Sequence, residues 1–491
     1  MRGILGHAGY LPYRRLDRST IAAVAGGGGG KGTRSVASYD EDTTTMGVEA
    51  GRLALARTGV TPAALYFATT SPTYLDKTNA TTIHAALRLA DDVVAADFGG
   101  AARSAVAALR LALRSDEPAL VIGADIRTGL PGSADETVGG DGASALLVGS
   151  DAAGDVLAEL IGTGSTTEEF LDRWRVPGEA RSKQWEERFG EGHYLGLGER
   201  AWTSGLKDAG ITADEVTHLA VAGTHARATG ALVARLSAGG AQRVDDLSTV
   251  VGMTGAAQPG LLLSSALDVA PAGAVIALVS LADGADVLVF RVRRATPAAR
   301  PVAAQAVGGA PVSYGTFLSW RGMLVREPPR RPEPARISAS AAGRNAAWKF
   351  GFVGSQSVQT GAINMPPSVP GASEGELESV VMSSRLGTIA TFTVDRLAYS
   401  PSPPVVFAVI DFDRGGRLPM ELTDVDATDV AIGDRVELTF RRLSTADGIA
   451  NYFWKARPVR TGRPPPSGSV GSPPSGPDES PTSRPVERRK G

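Results

Sequence analysis

Twice in its first 294 residues the chain runs through a Gly/Asp-rich turn straight into an apolar strand. The first passage is Gly140-Asp141-Gly142-Ala143-Ser144-Ala145-Leu146-Leu147-Val148, and the second is Ser280-Leu281-Ala282-Asp283-Gly284-Ala285-Asp286-Val287-Leu288-Val289-Phe290. Ahead of each, short apolar runs (Ala119 to Gly123, Leu219 to Gly223, Val275 to Ser280) alternate with Ala-rich stretches of helical period (Thr43 to Arg57, Thr81 to Ala90, Ser104 to Leu113). Strands of that kind, interleaved with helices, bury a sheet on both faces, so residues 1–294 read as α/β layers. The repeated ending points to an internal duplication.

The rest of the chain changes character. Residues 295–335 are rich in Ala, Pro, Arg and Gly and read as a linker with a short helix near Tyr314 to Val325. Residues 386–460 alternate as strands (Gly387 to Val394, Val405 to Phe412, Arg435 to Phe440), the pattern of a small all-β barrel. Residues 461–491 are Pro, Ser, Gly and Arg, a composition that predicts a disordered tail. The run Gly26 to Gly30 before Lys31 lacks the second Gly-Lys-Ser/Thr element of a phosphate loop and reads as a loop. A length of 491 residues requires two or three domains. A net charge of −2 gives no field to gather nucleic acid or an anionic membrane. With no signal peptide or long apolar span in view, the expectation is a cytoplasmic protein without membrane or nucleic-acid partners.

The chain contains no cysteine. Two stretches are nevertheless framed like segments that normally depend on one: Ala96-Asp97-Phe98-Gly99-Gly100-Ala101-Ala102-Arg103-Ser104, and Gly354-Ser355-Gln356-Ser357-Val358-Gln359-Thr360-Gly361 before Met365-Pro366-Pro367. A thiolate is the usual nucleophile of acyl-thioester chemistry and a usual structural zinc ligand.

Residues 1–294 resemble the 3-hydroxy-3-methylglutaryl-CoA synthase branch of the thiolase superfamily. The carrying segments are Gly6-His7-Ala8-Gly9-Tyr10-Leu11-Pro12, Tyr39-Asp40-Glu41-Asp42-Thr43-Thr44-Thr45-Met46-Gly47, Gly140-Asp141-Gly142-Ala143, Gly252-Met253-Thr254 and Leu267-Asp268. The resemblance implies a duplicated, five-layered thiolase-type fold, a homodimer, and an acyl-cysteine that condenses with acetyl-CoA. Residues 336–460 resemble small acyl-CoA-associated proteins built of a zinc ribbon and an OB-fold, on Gly354-Ser355, Pro366-Pro367, Leu386-Gly387-Thr388 and Tyr452-Phe453-Trp454-Lys455-Ala456-Arg457-Pro458. Such proteins bridge a thiolase and a synthase.

The departures fall on the chemistry. By the resemblance, the nucleophilic cysteine falls on Ala102, the acidic base near Thr70, the second-half histidine on Gly223 and the carbonyl-polarising asparagine on Met253. A methyl group is no nucleophile, so condensation through an acyl-cysteine is excluded at Ala102. In the ribbon, residues 336–385, Ser357 and Thr360 hold the Cys-x-x-Cys spacing, and hydroxyls are poor zinc ligands, so no metal is expected.

Other residues leave alternatives open. His225 is either a displaced general base or a loop histidine. Ser104 lacks a visible His/Asp pair, and Asp97, Asp141 and Asp283 read as turn residues. Arg321, Arg330 and Arg331 form a basic, Pro-rich patch suited to CoA phosphates, to an acidic partner face or to a solvated linker. The OB-type strands show few aromatics interleaved with basic residues, which argues against nucleic acid. Two functions follow. One is a non-catalytic pseudo-synthase that holds a separate cysteine-bearing thiolase or acyltransferase subunit, with no cofactor of its own beyond a possible coenzyme A thioester ligand. The other is a divergent acyl-CoA lyase, aldolase or acyltransferase.

Overall fold

The computed structural model describes residues 1–179, 181–368 and 375–460, and the predicted tail lies outside them. Ten strands form the main sheet: β1 (Arg2–Tyr10), β2 (Ala64–Thr69), β3 (Val94–Gly99), β4 (Ala119–Asp125), β5 (Gly142–Ser150), β6 (Ala158–Thr166), β7 (His218–Gly223), β8 (Gln242–Arg243), β9 (Val275–Leu281) and β10 (Ala285–Val292). Their order is β8-β7-β9-β10-β6-β1-β5-β4-β2-β3. Read outward from the centre, each half repeats the other. β1 and β6 each pair antiparallel with the last strand of their half, which pairs antiparallel with the next, followed by two parallel neighbours. The halves join where Gly3 faces Glu159 and Ile4 faces Ala158. The duplication read from the two turns is therefore a structural repeat.

The helices that matter below are α1 (Thr43–Leu55), α2 (Ala80–Leu87), α3 (Ser104–Ala112), α4 (Glu187–Ala209), α5 (Ala226–Leu236) and α6 (Gln258–Val269). Strand side chains alternate between cores. Leu120 and Ile122 of β4 enter a core shared with α1 and α2, while Ala119 and Val121 enter a central core with α3 and α6. In β9, Ile276 and Leu278 face that same central core, and Val275, Ala277 and Val279 face α4 and α5. Both faces are buried, which is why these strands read as unbroken apolar runs. Helices, half-sheet, helices, half-sheet and helices stack as five layers. Asp42 starts α1 by accepting from the Thr45 amide at 2.8 Å, with the Thr45 hydroxyl returning the bond from the Asp42 amide at 2.9 Å.

The expected linker is different. Residues 295–321 belong to the first domain: α7 (Val302–Val307), the strand Ala310–Pro311 beside Arg14 and Arg15, and α8 (Tyr314–Trp320). Val302 and Ala306 enter the central core, and Tyr314 and Phe317 pack on Leu16, Ile21 and Val36. Composition concealed this because the partners of these few apolar residues lie almost three hundred positions earlier. Only the stretch from Gly322 to Ser338 is an extended, largely exposed connection.

Two short helices then lead into a three-stranded ribbon (Val353–Ser357, Ile363–Asn364, Leu377–Val381). The final module is a five-stranded barrel of β11 (Gly387–Asp395), β12 (Val405–Phe412), β13 (Arg417–Glu421), β14 (Arg435–Ala446) and β15 (Ile449–Pro458), ordered β13-β12-β11-β14-β15 and closed by a bridge from Leu422 to Ala456. Its core of Ile410, Phe440, Tyr452 and Trp454 runs on into the α1 core of the first domain. No helix among the described residues is long and apolar enough to cross a membrane.

Candidate functional site

Strands β7 and β9 of the second half end beside the corners that precede α3 and α6. There Ala102, Gly223 and Met253 line one cavity, together with Thr224, Gln258 and Ser280. Its volume is about 10 Å³, room for a single water at most. Among the described residues, no acid, base or cysteine contributes to its wall. Three of the four positions that the sequence marked as vacant are thus neighbours in space, drawn from three separate segments.

The fourth, Thr70, sits behind the wall. Its amide and hydroxyl both donate to the buried Asp125, at 2.6 and 3.0 Å. Asp125 also accepts from the Thr69 hydroxyl (3.0 Å) and the Ala256 amide (2.8 Å), so its oxygens are used in holding the α6 corner. Gly255 in that corner has φ +54°, and a Cβ there would lie 2.1 Å from Asp125 Oδ2, so only glycine fits.

The vacancies have been filled rather than left open. A Cβ on Gly223 would stand 2.2 Å from Thr229 Oγ1, so a histidine cannot enter without moving Thr229. Beside Ala102, Arg103 is turned away from the cavity. Its Nε donates to Asp286 at 2.8 Å, and its terminal nitrogens donate to the Asp283 carbonyl at 2.8 Å and to Thr167 Oγ1 at 3.0 Å. It bolts the corner of one half to β10 of the other.

His225 lies off the cavity wall. Its Nδ1 accepts from the Ala228 amide at 3.1 Å, making it the N-cap of α5, and Nε2 therefore carries the hydrogen donated to the Glu187 carbonyl at 2.8 Å. Neither nitrogen is free to take a proton from a substrate, and the general-base alternative for His225 is not supported. The Ser104 hydroxyl donates to the Gly99 carbonyl at 2.8 Å. Asp97 caps the α2 start through the Asn79 and Ala80 amides, at 2.7 and 2.8 Å.

The basic patch divides. Arg321 is buried at 7 % side-chain exposure and paired with Asp141, which Arg34 also reaches at 3.3 Å. The Phe317 ring lies about 5 Å from each guanidinium. Arg321 is therefore an internal brace and not a contact for CoA phosphates, because this part of the expected linker is folded onto the first domain. Arg330 and Arg331 are exposed, with Arg331 3.9 Å from Asp395. In the ribbon, the Ser357 hydroxyl accepts from the Thr360 amide at 3.2 Å, and the Thr360 hydroxyl accepts from the Ala362 amide at 3.3 Å. At the positions of the Cys-x-x-Cys spacing, both hydroxyls are used in closing the turn.

What the sequence reading missed is the seam between the modules. Arg441 of β14, wholly buried, pairs with Glu41 and Asp424, each at 2.9 Å. Lys455 of β15, also wholly buried, pairs with Asp40 at 3.0 Å and Glu421 at 2.6 Å. Arg457 meets Glu49 of α1 at 2.9 Å, and Arg52 meets the other oxygen of Glu49 at 2.9 Å. The Tyr452 hydroxyl donates to Asp42 at 2.7 Å, joining the OB core to the α1 cap. Burial alone would raise the Asp40 carboxyl, but Lys455 and Arg441 outweigh it and hold Asp40 well below the ordinary range. Arg52 and Arg457 do the same for Glu49. The signal was present: Asp40-Glu41-Asp42 on one side, and Arg441 of β14 with Lys455 and Arg457 of β15 on the other.

Known proteins resemble the chain in both parts. The family model described as "ChsH2, C-terminal OB-fold domain" matches residues 380–441. The hydroxymethylglutaryl-CoA synthase of Methanopyrus kandleri is 34% identical over 192 residues, covering 36% of this chain and 54% of that relative, about half its length. That of Methanosphaera stadtmanae is 29% identical over 312 residues, covering 60% of this chain and 88% of the relative. Among solved structures, an HMG-CoA synthase complexed with CoA superposes with a TM-score of 0.54 at 18% identity, over 64% of this chain and 89% of that one. The 3-oxoacyl-(acyl carrier protein) synthase III of Pseudomonas aeruginosa does so with 0.51 at 20% identity, over 60% and 99%. These superpositions establish the fold.

Proposed function

We propose, for a chain that joins a hydroxymethylglutaryl-CoA-synthase-like domain of the thiolase superfamily to an OB-fold domain of the ChsH2 type, a non-catalytic role. It is a pseudo-synthase subunit that holds a separate, cysteine-bearing thiolase-fold subunit or acyltransferase in an acyl-CoA-processing complex. The supporting observation is the convergence of Ala102, Gly223 and Met253 on one small cavity without an ionisable wall. Acyl transfer through a covalent intermediate needs a nucleophile, a base and oxyanion donors within reach of one carbon. Here the nucleophile is a methyl group and the candidate base His225 is spent on a helix cap. The coenzyme A thioester is then a ligand of the partner, and this chain needs no cofactor of its own.

The reading keeps the two-fold pairing that the fold resemblance implies. Strand β3 supports it: β3 is hydrogen-bonded on one side only and leaves Val94 61% exposed. Affinity purification of the full chain from its native cell, with partners identified by mass spectrometry and the pool assayed with acyl-CoA, tests the proposal. A thiolase-fold partner at near-equal stoichiometry, with activity that disappears when the partner's cysteine is substituted, is the expected result. Acyl-CoA turnover by the purified chain alone overturns it.

A further inference from the structure

Behind the cleft wall, at Thr70, the chain gathers more guanidiniums than it pairs with carboxylates. Arg127 follows β4, and its side chain is only 11 % exposed. Its Nη1 donates to the Thr70 hydroxyl at 3.2 Å and stands 3.9 Å from Asp125, whose oxygens are already taken by Thr69, Thr70 and Ala256. Among the described residues, Nε and Nη2 of Arg127 meet no acceptor. Arg175 donates to the Thr70 carbonyl and has no carboxylate within pairing distance among the described residues. Arg173 is matched, with its terminal nitrogens on the two oxygens of Asp135 at 2.9 and 2.6 Å. Asp172 lies against Gly190 of α4 and His225 instead. Burial lowers the Arg127 guanidinium from its ordinary value, and Arg173 and Arg175 lower it further against Asp125 and Asp135.

A cavity of about 150 Å³ opens at Asp135, between the corner that runs from Gly129 to Asp135 and the ribbon of Arg173–Trp174 with Lys183–Gln184. That is far more room than one water needs. Its polar wall is Ser133, Asp135, Arg181, Ser182 and Gln184, and Leu130 and Ala134 are its apolar side. The Ser133 oxygen accepts from the Glu136 amide at 3.2 Å, which leaves the hydroxyl hydrogen to point elsewhere. The side chains of Arg181, Ser182 and Gln184 have no hydrogen-bond partner among the described residues. Asp135 is the one carboxylate of the wall, and Arg173 occupies both of its oxygens.

We propose that this cavity is an oxyanion site, built for the phosphate or carboxylate group of a small ligand. Arg181 faces the anion with a planar fork of donors, and Ser133, Ser182 and Gln184 add neutral ones. Arg127, Arg173 and Arg175 keep the surroundings positive, which concentrates anions at the opening. The resemblance places an acid near Thr70. Two guanidiniums converge on that residue instead, so the field there has changed sign.

The test is calorimetric titration of the full chain with inorganic phosphate and, separately, with malonate, at an ionic strength held constant with sodium chloride. Saturable binding of at least one anion is expected, and the tighter of the two names the group the cavity takes. Arg181→Ala, at an exposed position, should weaken that binding ~10-fold or more, the loss of one charge-assisted contact. Arg175→Gln removes a cation outside the wall and should weaken it by a smaller factor that shrinks with added salt. No saturable binding of either anion, or equal binding by Arg181→Ala, overturns the proposal. The readout involves no turnover, so this site stands or falls apart from the pseudo-synthase role.

Discussion

Two buried places in this molecule treat charge in opposite ways. In the cleft between the halves, the cavity at Ala102 has no ionisable wall, and the nearby Asp125 and Arg103 are consumed in fixing backbone corners. Between the modules, Asp40, Glu41, Glu49 and Asp424 meet Arg441, Lys455 and Arg457 out of reach of water. Catalysis needs charged groups with unsatisfied valence at a place a substrate can enter. Structural ion pairs need every oxygen and proton matched where nothing enters. The first site has no ionisable lining; the second has gathered charge and is closed by β14 and β15. Ionisable residues in this chain hold modules together.

Three substitutions can break or sharpen that contrast. The largest effect is expected at Arg441→Ala, which strands Glu41 and Asp424 in the seam and should cost about 3–5 kcal/mol in denaturant unfolding. A loss near zero would show that water reaches the seam. Gly223→Ala comes next. Its new Cβ must displace Thr229 Oγ1, and the overpacking should cost about 1–3 kcal/mol without creating activity. A variant as stable as the natural chain would show that the histidine position is open after all. The smallest is His225→Ala, expected to remove about 1 kcal/mol as a lost helix cap. Acyl-CoA turnover by the pool co-purified with the chain should be unchanged, and a large fall in that turnover would return His225 to the chemistry.

Much of the fold was legible because its strands are buried on both faces. Runs such as Leu120-Val121-Ile122 alternate between two cores without a polar interruption, and the matching turns at Asp141 and Asp283 mark the repeat. The barrel strands showed as period-two alternation because the barrel buries chiefly one face of each. The short helix near Tyr314 was read, but the packing of residues 302–321 on the first domain was missed, because so few apolar residues look like solvated chain until Leu16 and Val36 are placed beneath Phe317. At the cleft, the sequence marked Ala102, Gly223 and Met253, but it did not show that Thr229 already occupies the space a histidine would need. The seam was hidden because Asp40 and Lys455 lie at opposite ends of the chain, and no local period connects them.

The connection from Gly322 to Ser338 has a consequence for assembly in the cell. Seventeen residues reach at most ~60 Å when fully extended, so the OB module is confined to a small volume around the surface it docks on. Confinement of that order corresponds to an effective concentration near the millimolar range. A seam whose intrinsic affinity would be too weak for two free polypeptides stays closed under that tether. One OB module then accompanies each synthase-like domain, counted out one to one whatever the rate of synthesis.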